Sequence, residues 1–322
     1  MGWFFGKSKE KSAAAPQVSS KNIPFSLDGQ FLSLPKRGYF GQYCRSPNGR
    51  YILTWRDSND AGTEGGARSK GQGRYILFDQ DRIIWEGRLD RPNDGKVADD
   101  GTFILNDWHF FSGELRGTFC AFRVTGEPIV KLKFEANLYN NGLSSDGVLA
   151  CCQTNNSENR NDSSVLTIFD LQKGRELSRW MPESGLANSY SFSPGIIALS
   201  YPDGPAWQYS LTGEFLDREK WLDHGLAIGD FRIIETMLKE IPKPISEETV
   251  KRLVAGCDIG LRTPHYRDPA WQVIGLRLKG ESFDGAGKLS DALQCYEKAL
   301  TQNPKVGVKR RASQLQKQLS KS

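Results

Sequence analysis

Two sets of landmarks recur in step along this chain at a period near fifty residues, and together they restrict the fold more than any other feature. The first set is a turn signal: Ser46-Pro47-Asn48-Gly49, Asp99-Asp100-Gly101, Ser144-Ser145-Asp146-Gly147 and Ser193-Pro194-Gly195. Their glycines lie 52, 46 and 48 residues apart. Each turn leads into a β-forming run, such as Tyr51-Ile52-Leu53-Thr54-Trp55, Phe103-Ile104-Leu105, Val148-Leu149-Ala150-Cys151-Cys152 and Ile196-Ile197-Ala198-Leu199. Asn-Gly and Asp-Gly suit such turns, because a tight reversal between antiparallel strands needs positive φ. The second set is a strand that closes on a further turn. Examples are Tyr75-Ile76-Leu77-Phe78-Asp79, Phe119 to Val124 before Gly126, Leu166 to Asp170 before Gly174, and Trp207 to Leu211 before Gly213. Two landmarks that keep one period predict four units, each a small antiparallel sheet.

Units of this size bury their faces by stacking on their neighbours. The pattern resembles the WD40-like family of β-propellers. Phe78-Asp79 and Phe169-Asp170 stand where that family often carries Trp-Asp, whereas Phe122-Arg123 and Tyr209-Ser210 depart from it. The family's Gly-His signature is absent from every unit. The resemblance covers residues 23–217 and implies a β-propeller of four to five small four-stranded blades. Phe25-Ser26-Leu27-Asp28-Gly29-Gln30-Phe31 reads as the end of a fifth, since it mirrors Tyr209-Ser210-Leu211-Thr212-Gly213-Glu214-Phe215. A two-sheet sandwich is the alternative fold.

After Asp217 the apolar period changes from two to about 3.6. Ile234, Met237, Leu238 and Ile241 form one helical face, stopped by Pro242 and Pro244. Ser246 followed by Glu247 and Glu248 reads as an N-cap with an acidic first turn. Leu276, Gly280 and Phe283 fall at offsets 0, 4 and 7, and Ala292, Tyr296, Ala299 and Pro304 at 16, 20, 23 and 28. This spacing resembles the tetratricopeptide repeat. The resemblance implies a close approach of two helices at Gly280 and Ala292, with Phe283 and Tyr296 filling the space between them and Pro304 closing the second helix. Val308, Ala312, Leu315 and Leu319 would line a final capping helix. The expected organisation is a basic leader at 1–22, a propeller-like domain at 23–217 and a tetratricopeptide-like helical domain at 218–322.

Of 322 residues, 43 are Lys or Arg and 38 Asp or Glu, and the excess sits at the ends. Residues 1–22 carry +3 and residues 305–322 carry +6, which leaves the body net acidic at −4. A nucleic-acid surface needs a basic stripe interleaved with aromatics on the folded body, and this distribution does not supply one. On the last helix Arg310, Lys317 and Lys321 fall near one side, a surface suited to an acidic partner. Trp3, Phe4 and Phe5 beside Lys7 and Lys9 would give a membrane at most a weak contact.

The six cysteines have no metal or redox spacing, and Cys151 and Cys152 would point to opposite faces of a strand. Reduced, buried thiols fit a cytoplasmic protein. Asp107-Trp108-His109 is the one acid-aromatic-base cluster, and it lacks a nucleophile at diagnostic spacing. No phosphate-binding or dinucleotide fingerprint occurs, and the sequence implies no cofactor or metal site. The polar excursions from Asp57 to Gly73 and from Gln153 to Asp162 are loops of the kind that read partners on a rigid frame. The expectation is a non-enzymatic scaffold that binds a protein or peptide. The alternative is an enzyme, such as a hydrolase, with a propeller-face site built from distant loops.

Overall fold

The computed structural model describes residues 24–59, 61–66, 68, 70–109 and 116–321. The leader at 1–22, with its aromatic and lysine residues, lies outside the described residues. The chain divides into two compact units, Met1–Leu216 and Asp217–Ser322.

The first unit is built of antiparallel strands joined mostly by short turns. Strands β1 (Ser26–Asp28), β2 (Phe31–Leu34), β3 (Tyr39–Arg45), β4 (Tyr51–Arg56), β5 (Gly73–Asp79) and β6 (Arg82–Leu89) form a six-stranded sheet in chain order. Strands β7 (Pro92–Val97), β8 (Phe103–Trp108), β9 (Gly117–Phe122) and β10 (Pro128–Phe134) form a second sheet. A third contains β11 (Leu138–Leu143), β12 (Leu149–Thr154), β13 (Leu166–Asp170) and β14 (Arg175–Trp180). A fourth has only β15 (Ser189–Ser193), β16 (Ile196–Ser200) and β17 (Trp207–Ser210).

The recurring turns are alike in chemistry as well as sequence. Ser46 Oγ donates to Asn48 Oδ1, which also accepts from the backbone N–H of Arg50, while Ser46 Oγ accepts from Tyr51 N–H. Ser144, Asp146, Val148 and Leu149 repeat that set of bonds at the head of the third sheet. Successive turns are also tied to one another. Asn48 N–H donates to Asp99 Oδ1 at 2.7 Å, and Asp99 N–H donates to the Ser145 carbonyl at 2.8 Å. The period of the sequence is thus the spacing of sheets in a stack.

Packing follows the same order. Leu53, Trp55, Tyr75 and Leu77 of the first sheet meet Phe103, Leu105, Cys120 and Phe122 of the second. The reverse face of the second sheet, through Ile104, Phe119 and Ala121, meets Ala150, Cys152 and Phe169 of the third. Phe119 and Phe169 stack there with centroids 4.5 Å apart. Central strands are therefore apolar on both faces, which is why β4 reads as an unbroken buried run.

The WD40-like propeller expected from the sequence is not what forms. Among the described residues the four sheets stay open and separate, with six, four, four and three strands, and none closes into a propeller. The segment read as a fifth blade instead becomes β1 and β2, because Phe31-Leu32-Ser33-Leu34 pairs with Tyr39 to Gln42 along the free edge of β3. Edge pairing satisfies that strand's backbone groups and extends the first sheet in place of starting a new one.

The second unit holds helices α1 (Arg218–Ile228), α2 (Phe231–Glu240), α3 (Glu247–Arg262), α4 (Pro269–Gly285), α5 (Leu289–Gln302) and α6 (Lys309–Leu319). Asp230, Ser246 and Asp268 cap α2, α3 and α4 by accepting backbone N–H bonds. Leu226, Phe231, Ile234, Leu253, Cys257 and Leu278 are at the centre of one core, and Ala292, Tyr296, Ala312 and Leu315 of a second.

The tetratricopeptide-like expectation also needs correction. The six helices pack as a bundle without a clear tetratricopeptide repeat. Backbone also comes close to backbone outside the α4–α5 hairpin. A Cβ on Gly229, in the α1–α2 turn, would lie 2.3 Å from Gly260 N in α3.

Candidate functional site

The extra strands of the first sheet create the most distinctive surface on the β unit. Phe31, Gln42 and Trp55 lie in one row across β2, β3 and β4. On β3 the alternation sends Tyr39 into the core on one face, while Phe40 and Gln42 take the other. Phe31 and Phe40 stack with centroids 4.9 Å apart and interplanar angle 14°, yet stay 40% and 57% exposed. They border a hollow of about 280 Å³ lined also by Gly41, Gln42, Trp55, Arg56, Asp57, Ser58 and Asn93. Trp55 is buried, and its indole N–H donates to Gln42 Oε1 at 3.1 Å, which fixes both side chains. A Cβ at position 41 would lie 2.4 Å from the Trp55 carbonyl oxygen, so Gly41 lets β3 run close to β4 here.

A network of fixed charges stands beside the hollow. Asp57 accepts from Gly66 N–H at 2.9 Å, from Arg68 Nη1 at 2.7 Å and from Arg91 Nη2 at 3.3 Å. Arg68 is buried and also reaches the carbonyls of Gly71 and Asp90. These bonds pin the excursion after Asp57, which the sequence presents only as a polar loop. Bonded to two guanidinium groups and an amide, Asp57 organises the rim of the hollow.

The Asp107-Trp108-His109 cluster ends against this network. Asp107 is buried and accepts from Arg91 N–H at 2.8 Å. Burial pushes its carboxyl above the ordinary value near 3.8, and the Arg91 bond opposes that shift. His109 Nε2 lies 2.7 Å from Thr118 Oγ1, and its Nδ1 lies 3.8 Å from Asp90 Oδ2, beyond hydrogen-bond reach. Strand β8 ends at Trp108, so His109 lies just beyond it. Among the described residues no group of three or more His, Cys, Asp and Glu is placed to hold a metal ion. The six cysteines are unbridged. Cys151 and Cys152 do face opposite ways: Cys152 joins the core between the second and third sheets, while Cys151 lies by Gly142.

The residues singled out in the helical tail fall on α4, on α5, in the turn that follows it, and on or just beyond α6. Ala292, Tyr296 and Ala299 are buried on α5, and Gly280 is buried on α4. A Cβ on Gly280 would lie 2.6 Å from the Tyr296 ring and 3.3 Å from Cys295 Cβ. Leu276 and Phe283 are half-buried, with Phe283 shared by the two helical cores. Pro304 is exposed in the turn after α5. On α6 and just beyond, Arg310, Lys317 and Lys321 are exposed. Arg311 differs, since it forms a paired contact with Asp284 at 2.6 and 2.7 Å that ties α6 to α4.

The Phe31–Phe40 pair is not visible in the sequence reading, which places Phe31 at the end of a fifth blade and gives Phe40 no strand. The alternation in Tyr39-Phe40-Gly41-Gln42 contains the signal, since it puts an aromatic on each face of one strand. The partners of Asp57 lie 11 and 34 residues away and follow no local pattern.

No protein-family model matches the chain, and no curated protein matches it. Among solved structures, it is similar to the computationally designed Ika8 protein, with TM-score 0.36 and 9% identity, over 58% of this chain and 57% of that one. The designed Ika4 protein gives 0.33 and 7%, over 50% of this chain and 85% of that one. Hsv2 of Kluyvelomyces marxianus gives 0.32 and 9%, over 57% and 58%. The chain thus spans little more than half the length of Ika8 and of Hsv2. Likenesses this distant carry no argument about fold or function.

Proposed function

We propose that this chain is a protein-binding module whose β unit seats an apolar side chain of a partner in the hollow at Phe31, Phe40 and Trp55. The observation that carries this reading is the stacked, solvent-facing phenylalanine pair on the rim of a preformed hollow. Rigid aromatic side chains offer large contact area at low ordering cost, and such anchors dominate binding energy at interfaces. The Asp57–Arg68–Arg91 network supplies a rim whose polar groups are already paired, so burying it leaves few unsatisfied charges. The test is capture of a partner by the full chain and by Phe31→Ser/Phe40→Ser, with a photoreactive side chain at position 40 to report contact. Loss of capture with an unchanged circular-dichroism spectrum supports the reading. Undiminished capture by the double variant refutes it.

A second contact is favoured by the exposed cations at the end of the helical unit. Arg310, Lys317 and Lys321 are without an ion pair among the described residues, while Ala312 and Leu315 on the same helix face the core. An acidic protein segment is the matching partner. Changing all three cations to Glu should lower affinity for such a partner and flatten its salt dependence while the fold persists. An unchanged salt slope would mark the face as solubilising only.

A further inference from the structure

We propose that the layer between the second and third sheets is an internal water-binding site, with Asn106, Asn141 and Thr167 as its ligands. All three are closed off from solvent, at 0%, 2% and 0% exposure. Among the described residues, Asn106 Nδ2 and Oδ1, Asn141 Oδ1 and Thr167 Oγ1 have no hydrogen-bond partner. Turning the Asn106 amide over does not help, because both of its ends lack partners.

Register places these atoms in one layer. On β8, Ile104 and Trp108 pack into the core shared with the third sheet, so Asn106 between them takes the same face. On the third sheet Asn141, Cys152 and Thr167 form a continuous row across β11, β12 and β13. Cys152 belongs to that same core, and its two flanking neighbours therefore point at the second sheet. The Trp108 indole N–H, two residues along from Asn106, is a further buried donor without a partner.

The chemistry of the set fits water better than any other occupant. Asn141 Nδ2 is already held by the Asp94 carbonyl at 2.6 Å, so its Oδ1 requires a donor. Thr167 and Asn106 each offer both donor and acceptor capacity, and the indole offers a donor. Water both donates and accepts, so one or more molecules in this layer would supply the partners these groups lack. Internal waters take two to four such partners and are retained because leaving the groups dry is costly. Larger polar ligands would have to force the sheets apart against the Phe119–Phe169 stack that joins them.

Oxygen-17 magnetic relaxation dispersion on the full chain tests this, since it counts waters held far longer than those on the surface. The unaltered protein should show a long-lived water component, and Asn106→Leu/Thr167→Val should lose some of it. Equal dispersion amplitude in the two proteins would overturn the proposal. If the double variant does not fold, Thr167→Val alone is compared in the same way. A high-resolution crystal structure of the unaltered protein is an independent test. Ordered water within hydrogen-bond distance of Asn106 and Thr167 supports the site, and direct protein–protein bonds at those atoms refute it.

Discussion

Gly126 takes φ +79°, and a Cβ there would fall 1.9 Å from the Trp85 ring. Two penalties therefore act on any replacement: left-handed backbone and collision with an indole. Gly185 takes φ +86° with nothing within 4 Å of the same ideal position, so it bears only the first. We expect Gly126→Ala to cost about 2–4 kcal/mol and Gly185→Ala about 1–2 kcal/mol, as read from urea midpoints. Equal losses would show that the indole yields freely. Asp107 tests electrostatics at the same scale. Its folded carboxyl titrates above the unfolded value, so its stabilising contribution is full below that value and is lost as pH rises through the folded one. The melting temperature of the unaltered chain relative to Asp107→Asn should fall as pH rises from about 4. A difference that stays flat across the acidic range would remove burial as the cause.

Among the elements, α4 and α5 are in close contact where a Cβ on Gly280 would lie 2.6 Å from the Tyr296 ring. A leucine at 280 must displace that ring, and overpacking of this kind costs about 1–3 kcal/mol. Gly280→Leu should lower the stability of the helical unit by that amount in thermal denaturation, and an unchanged midpoint would exclude a tight contact there. How far the elements could be read in advance depended on how local their causes are. The turns at Gly49, Gly101 and Gly147 were legible because their Ser, Asn and Asp side chains bond within five residues. The cap Ser246 was legible for the same reason. The destination of β2 was not, since the free edge of β3 competes for it and no residue in Phe31-Leu32-Ser33-Leu34 states which pairing prevails. The hollow was lost with that strand, and the partners of Asp57 are set only once distant loops converge.

At the scale of the whole molecule, the fifty-residue period announced a series of sheets but not whether they would join end to end. Closure depends on the first and last members meeting, and that is a property of neither repeat nor turn. The stacked order within the β unit has a kinetic consequence. Most strand pairings join neighbours in sequence, and each sheet leans mainly on the one before and after it. Such a series opens from its ends, because a terminal member breaks one set of contacts and an inner member breaks two. Amide hydrogen exchange should therefore be graded along the chain. The slowest amides should belong to β12 and β13, which are buried on both faces, and the fastest strand amides to the three-stranded sheet of β15, β16 and β17. Uniform protection across the sheets would mean that they open as a single cooperative block. A graded profile would mean that the unit breathes from its margins, so that its last sheet can be remodelled while the layer around Phe119 and Phe169 stays shut.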